Sequence, residues 1–141
     1  MLLISACLLG CACRYDGKSK PHPLAVELAR RGLAVPVCPE QLGGLPTPRK
    51  PSERRGGRVV MADGRDVTAE YRRGAEATLH LARLYGCTAA VLKERSPSCG
   101  KGQIYDGTFT GTLTAGDGVT AELLTAGGIK VYGESELEKL L

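Results

Sequence analysis

Four short, largely apolar runs divide the chain, at residues 2–6, 33–37, 89–92 and 129–132. Runs this short, apolar at consecutive positions, are typical of strands that are buried on both faces, as in parallel sheets. Longer segments with apolar residues at helical spacing lie between them. The pattern therefore predicts an alternation of strands and helices built on a parallel sheet.

Two of the predicted helices carry clear start and stop residues. The first, over 23–31, opens with proline in its first turn and is ended by Gly32. The longest, over 66–85, is capped by Asp66 and ended by Gly86, with one apolar face along its length. These helices connect the first strand to the second and lead into the third.

The rest of the chain after the third strand has shorter elements. A hairpin over 103–105 and 108–112 is predicted, because the Asp106-Gly107 pair between them favours a tight primed turn. A helix is predicted over 119–126, and a final one starts at the Ser-x-x-Glu capping box of residues 135–138.

The predicted fold class is α/β, a three-layer sandwich with a Rossmann-like, mostly parallel sheet and helices on both faces. We expect one domain over residues 1–141, which is long enough to bury a substantial core. Residues 58–61 are predicted as a short strand. The proline- and glycine-containing segment 39–57 is predicted as a long irregular loop of the kind that carries function.

Charge and the N-terminus limit the expected partners. The net charge is +4, and the basic stretch 49–58 has no interleaved aromatic residues for stacking bases, so no nucleic-acid partner is expected. The first apolar run has no basic residues before it and is interrupted at Gly10, too short to span a bilayer. The predictions are a mature N-terminus, no membrane partner and a cytoplasmic location.

Three of the six cysteines follow predicted strands: Cys7, Cys38 and Cys99. Because the carboxyl ends of parallel strands meet at one edge of the sheet, these thiols are expected to converge there. In a cytoplasmic chain they indicate a metal or iron–sulfur site, and three protein ligands leave one position free for substrate. Sulfur-only ligation favours iron–sulfur or zinc. Cys87, between a helix and a strand, is expected to be a small buried hydrophobe.

Other uses of the cysteines stay open on these grounds. Cys7, Cys11 and Cys13 could bind one metal as a local Cys-x3-Cys-x-Cys loop. Cys13 could also close the site as a fourth ligand, which would make the protein a non-catalytic zinc or iron–sulfur accessory protein. A third possibility is a metal-free thiol redox enzyme that uses Cys11 and Cys13.

Several polar residues are weaker candidates for the same site at the edge of the sheet. Asp16, Arg49 and Lys93 lie in loops that are expected to reach it, although a plain turn or a surface charge would explain Asp16 and Arg49 equally well. The glycine-rich turn at 116–120 opens a predicted helix, where free N–H groups could hold an anion.

Seven short motifs occur along the chain in a fixed order. They are Ser5-Ala6-Cys7-Leu8-Leu9-Gly10, Arg14-Tyr15-Asp16-Gly17, Cys38-Pro39-Glu40, Gly43-Gly44-Leu45-Pro46-Thr47-Pro48-Arg49, Asp66-Val67-Thr68, Ser96-Pro97-Ser98-Cys99-Gly100 and Tyr105-Asp106-Gly107. The combination of motifs is highly specific, although each short piece alone is not. With these motifs in this order, nearly the whole chain resembles the bacterial thiouracil desulfidase-like family, long catalogued as a domain of unknown function.

The resemblance implies a cofactor, a reaction and site residues. It implies an oxygen-sensitive [4Fe-4S] cluster held by Cys7, Cys38 and Cys99, with the fourth iron open to the sulfur of a small thiolated nucleobase, thiouracil-like, as substrate. Water would replace sulfur without net redox change, releasing sulfide. The resemblance assigns acid–base work to Glu40 and a polar role to Ser96. Without it, Glu40 would be expected as a solvated loop acid or a helix N-terminal charge, and Ser96 as a turn residue.

Overall fold

Eight strands and four helices make up the computed structural model, which describes residues 1–140. The strands are β1 (Leu2–Ser5), β2 (Ala34–Val37), β3 (Ser52–Arg55), β4 (Arg58–Met61), β5 (Ala89–Leu92), β6 (Gln103–Tyr105), β7 (Leu113–Ala115) and β8 (Lys130–Gly133). The helices are α1 (Pro23–Arg30), α2 (Pro39–Leu42), α3 (Thr68–Leu84) and α4 (Val119–Ala126). Two 3-10 helices, Ala6–Leu9 and Glu134–Leu140, complete the elements.

The central sheet has the predicted strands in parallel. Its order is β2-β1-β5-β8, and Leu3 of β1 pairs with Val35 on one side and Ala90 on the other. The chain moves outward from β1 in one direction to β2 and in the other to β5. In open α/β sheets such a reversal leaves a crevice beyond the carboxyl ends of the strands. The loops that follow β1 and β5 therefore border the natural ligand site of this fold.

Helices cover both faces of this sheet, which confirms the predicted fold class. Neighbouring residues of β1 point to opposite faces, so Leu3 and Ile4 belong to different cores. The core under α3 and α4 includes Leu3, Val35, Ala82, Ala90, Leu92, Ala121 and Leu124. The core under α1 and the 3-10 helices includes Ile4, Leu8, Ala25, Leu28, Val91 and Leu137. Within residues 1–140, no helix combines the length and apolarity needed to cross a membrane.

The prediction of a long irregular loop over residues 39–57 is wrong in part. It contains the short helix α2 and the strand β3, which pairs antiparallel with the predicted strand β4. The Ser-Glu-Arg-Arg sequence of β3 has no apolar alternation, so its pattern does not identify a strand. Tertiary contacts hold it instead, because Glu53 is only 9% exposed and accepts hydrogen bonds from a distant loop.

The predicted hairpin has the wrong second strand. β6 is as expected, but its partner β7 begins at Leu113, and residues 106–112 form a longer loop. Asp106 does not start a two-residue turn, because Tyr105 pairs with Leu113 and residues 106–112 lie between them. The Asp106 carboxylate accepts the N–H of Thr108 at 3.0 Å. The N–H of Gly107 is used by Glu53 at 2.9 Å.

Two predicted helix starts also differ. The helix α3 begins at Thr68, whose N–H donates to Asp66 at 2.9 Å, so Asp66 caps the helix from just outside it. The final segment is a 3-10 helix rather than a helix opened by its own capping box. Ser135 bonds to Glu94 in the loop after β5, and that contact replaces the predicted local one.

Candidate functional site

A cavity of about 510 Å³ opens at the carboxyl ends of the central strands. Its floor includes the last residues of β1 and β2, and its walls come from the loops that follow β1 and β5. Cys7, Cys38 and Cys99 all line it. The structure therefore brings together the three thiols that the strand pattern places at one edge of the sheet.

The three thiols are buried to different degrees. Cys7 is 7% exposed and Cys99 is 6% exposed, whereas Cys38 is half-buried. Burial, and then the charge of Glu40, raise the pKa of Cys99 to about 12. A hydrogen bond with Cys13, and then burial, raise the pKa of Cys38. The raised pKa values keep the Cys38 and Cys99 thiols protonated in this environment, and a bound cation is the partner that would make them thiolates.

Cys13 contributes a fourth thiol to the cavity wall. It interacts with Cys38, which lowers its pKa, but an interaction with Cys7 and burial outweigh this and raise the pKa to about 11. The Cys38 thiol also donates to the carbonyl of Cys13 at 3.8 Å. Cys11 is exposed and does not line the cavity. Cys87 is buried in the core beneath α3, as predicted.

The donor set fits a multi-atom iron–sulfur group. Among residues 1–140, no three His, Cys, Asp or Glu side chains converge closely enough to hold a single metal ion. An iron–sulfur cluster is bound differently, since each thiolate takes a separate iron and the thiols surround the group rather than one point. The buried Nε of Arg49 has no acceptor among the described residues, and cluster sulfides are acceptors of the kind it lacks.

Glu40 is anchored in the cavity wall by two partners. It lies in the first turn of α2, where Arg49 Nη2 is 2.5 Å from its Oε2 and the Tyr71 hydroxyl donates to its Oε1. The Arg49 side chain is 2% exposed and that of Glu40 is 16% exposed. Glu40 is thus a helix first-turn acid, as one alternative predicted, but the expectation of a solvated loop acid is wrong.

The partners of Glu40 keep fixed protonation states. Burial and the charge of Glu40 raise the pKa of Tyr71, so its hydroxyl stays a donor. Burial lowers the pKa of Arg49, but the ion pair with Glu40 outweighs it and raises that pKa overall. Arg49 Nη2 also donates to the carbonyl of Cys13 at 3.0 Å. One guanidinium therefore links the carboxylate to the cysteine loop that follows β1.

Ser96 organises the loop that carries Cys99. Its hydroxyl oxygen accepts the N–H groups of Ser98 and Cys99, both at 3.1 Å. Its hydroxyl hydrogen has no acceptor in the part of the chain that the structure describes, and the residue lines the cavity. Ser98 instead shares a buried hydrogen bond of 2.8 Å with Thr120, which is a structural role.

The glycine-rich turn predicted as an anion site has another use. The N–H groups of Gly118, Val119 and Thr120 donate to carbonyls of residues 97, 98 and 100 at 2.8–2.9 Å. These N–H groups are therefore not free to hold an anion, which was the possible role of this turn. The turn holds the Cys99 loop against the start of α4.

The other weaker candidates divide between the cavity and the surface. Lys93 lines the cavity, pairs with Glu134 at 2.8 Å and donates its backbone N–H to buried Ser5 at 2.9 Å. Asp16 does not line the cavity. It pairs with Arg14 at 3.3 Å and accepts the N–H of Lys18, the plain turn that was its alternative.

Two glycines set the distance between α2 and α3, and through it the contact of Glu40 with Tyr71. A Cβ on Gly74 would lie 1.9 Å from the carbonyl oxygen of Pro39, and one on Gly43 would lie 2.0 Å from that of Glu70. Neither neighbour is a flexible side chain that can turn aside. The two backbones therefore approach closely because no side chain separates them.

Replacing Gly74 with alanine should destabilise the fold by about 1–3 kcal/mol, the usual cost of overpacking. A loss of stability would indicate overpacking between the two helices, because alanine normally stabilises a helix interior relative to glycine. Urea unfolding measures the change. Gly57→Ala is the matched control, since a Cβ there meets nothing within 4 Å. A Gly74→Ala protein as stable as wild type would show that α2 can shift without cost.

Known proteins match this chain over almost its full length. The family model described as 2-thiouracil desulfurase matches residues 2–136. The uncharacterized protein YbbK of Bacillus subtilis (strain 168) is 44% identical over 151 aligned residues, covering 100% of both chains. A solved structure described as the [4Fe-4S]-dependent thiouracil desulfidase TudS is 50% identical in sequence and superposes with a TM-score of 0.95. The match covers 99% of this chain and 93% of the solved chain.

Proposed function

The chain belongs to the 2-thiouracil desulfurase family, and we propose that its cavity removes sulfur from a small thiouracil-like base with Cys7, Cys38 and Cys99 as the cluster ligands. It is an iron–sulfur-dependent desulfidase with a [4Fe-4S] cofactor. The observation that carries the ligand assignment is that three thiols from three separate strand ends line one cavity. We further propose a cytoplasmic location.

Bound through three thiolates, a [4Fe-4S] cluster supplies one iron free of protein ligands, a Lewis acid suited to a soft sulfur atom. The protein contributes a cavity of about 510 Å³, within the range of small-molecule sites. A free base or similar thioamide is therefore the proposed substrate.

Glu40 is the proposed acid–base residue. Replacement of C=S by C=O with one water molecule releases hydrogen sulfide and transfers no net electrons. The incoming water must lose its protons, and a carboxylate fixed in the cavity wall is suited to accept one. Arg49 and Tyr71 hold both of its oxygens, so its position does not depend on the substrate. Ser96 is proposed to donate its free hydroxyl hydrogen to the substrate.

A closed four-cysteine site is the second candidate, favoured by the contacts of Cys13 with Cys7 and Cys38. It would make the protein a non-catalytic zinc or iron–sulfur accessory protein. Metal and sulfide analysis after anaerobic purification, followed by a thiouracil turnover assay, separates the two. About four irons per chain with turnover supports the proposed function. One zinc per chain, or four irons without turnover, supports the accessory protein.

Replacing Ser96 with alanine should slow desulfuration about 2- to 10-fold, as expected for the loss of one positioning hydrogen bond. The rate is measured in a single turnover and divided by the cluster content of the same sample. This correction is needed because Ser96 also holds the N–H of Cys99. A corrected rate equal to wild type would remove the hydroxyl from the reaction and leave Ser96 a turn residue.

A further inference from the structure

The loop of residues 106–112 places an aromatic ring on the cavity wall. Phe109, the single phenylalanine of the chain, lines the cavity and is half-buried. Its backbone is left-handed, with φ at +58°. For a bulky residue this conformation is strained, and such strain persists only where surrounding contacts hold it.

Two side chains of β3 hold this loop. One carboxylate oxygen of buried Glu53 accepts the N–H of Gly107 at 2.9 Å and that of Phe109 at 3.1 Å. The Arg55 Nε donates to the carbonyl of Gly107 at 2.7 Å, and its guanidinium lies 5.9 Å from the centroid of the Phe109 ring. Phe109 is therefore fixed from its backbone and from its ring at once.

These contacts fix the position of the ring. A loop that only connected β6 to β7 would not need an aromatic residue in a left-handed conformation. Arg55 does not line the cavity, whereas Phe109 does. The ring is thus held at the cavity by Glu53, a buried residue of the cavity lining, and by Arg55, which lies outside it.

We propose that Phe109 is the stacking platform that recognises the planar ring of the substrate, and that Glu53 positions it. This deepens the proposed function, on which it rests. Stacking is insensitive to the substituents of a base but requires a flat aromatic ring. Phe109 would therefore select heteroaromatic thioamides over puckered or aliphatic ones, while the sulfur chemistry takes place among the thiols.

Uracil and dihydrouracil test this directly, because they carry the same carbonyl and N–H groups but only uracil is flat. Binding of each to the cluster-loaded protein is measured by calorimetry. Wild type should prefer uracil, and Phe109→Ala should weaken uracil binding roughly 5- to 150-fold while changing dihydrouracil much less. Phe109→Tyr, which keeps the ring, should retain the preference. Tyr85→Ala is the control, an exposed aromatic residue away from the cavity.

Two substitutions of Glu53 test its role in positioning Phe109. Glu53→Gln keeps an oxygen that accepts the two N–H groups and should keep the uracil preference, whereas Glu53→Leu should lose it.

If Phe109→Ala retains the preference of wild type, or weakens the binding of both ligands equally, the stacking proposal is overturned. If wild type binds uracil selectively but does not desulfurate thiouracil, the proposed function fails and the recognition role stands. If thiouracil is desulfurated and Phe109→Ala keeps the preference, this inference alone fails.

Discussion

Serine in place of Cys7, Cys38 or Cys99 is expected to abolish the brown absorbance of the anaerobically reconstituted protein. Each side chain comes from a different loop, so the loss of one leaves two thiolates that cannot hold the cluster alone. Iron and sulfide per chain should fall to a small fraction of the wild-type content. The three variants should behave alike, because each removes one of the three ligands of our assignment, in which Cys13 lines the cavity without binding the cluster.

Cys87→Ala is the matched control, since Cys87 is buried in the core and does not line the cavity. It should keep the full iron and sulfide content. Cys11 and Cys13 variants complete the set. A Cys38→Ser protein that keeps its cluster, alongside a Cys11→Ser or Cys13→Ser protein that loses it, would assign the ligands to the local Cys-x3-Cys-x-Cys loop and contradict ours.

Glu40→Gln should keep the cluster and still bind a thiolated base, yet lose roughly 10²- to 10⁴-fold in single-turnover rate, as is typical for removal of a general acid–base group. Glutamine preserves the shape of the side chain and an oxygen for Tyr71, so the loss measures proton transfer more than packing. It also leaves the buried Arg49 without its anion, which is why cluster content and stability are measured on the same samples.

Glu27→Gln is the matched control for removing an ion-paired glutamate. Glu27 pairs with Arg31 at 3.0 Å on the surface of α1, where the pair contributes little. Its rate should equal that of wild type. A Glu40→Gln protein with a full cluster and undiminished desulfuration would exclude Glu40 from the reaction and leave water activation to the cofactor alone.

The sheet and the convergence of the cysteines are predictable because they follow from local patterns. The apolar runs identify the four parallel strands, and the connection rules for such strands place their carboxyl ends on one edge. Cys38 directly follows one of those ends, Cys7 lies two residues after a second, and Cys99 lies in the loop after a third. No long-range contact is needed for this deduction.

The contacts around Glu40 and Glu53 could not be predicted from the sequence pattern. Tyr71 sits on the apolar face of α3, where periodicity indicates only a core residue, yet its hydroxyl reaches Glu40 across 31 positions of the chain. Glu53 lies in a charged stretch that is typical of a solvated loop, and its burial depends on N–H groups more than 50 residues away. Polar pairing at such separations leaves no periodic signal, so the walls of the cavity become visible only in the structure.

The replacement of sulfur by water is measured in one turnover of 2-thiouracil in water enriched in ¹⁸O, with cluster-loaded protein, no oxygen and no added reductant. The protein should release one uracil and one sulfide per cluster, with a single ¹⁸O atom in the uracil. Uracil without the label, turnover only with a reductant, or equal turnover by zinc-loaded protein would contradict the proposed function.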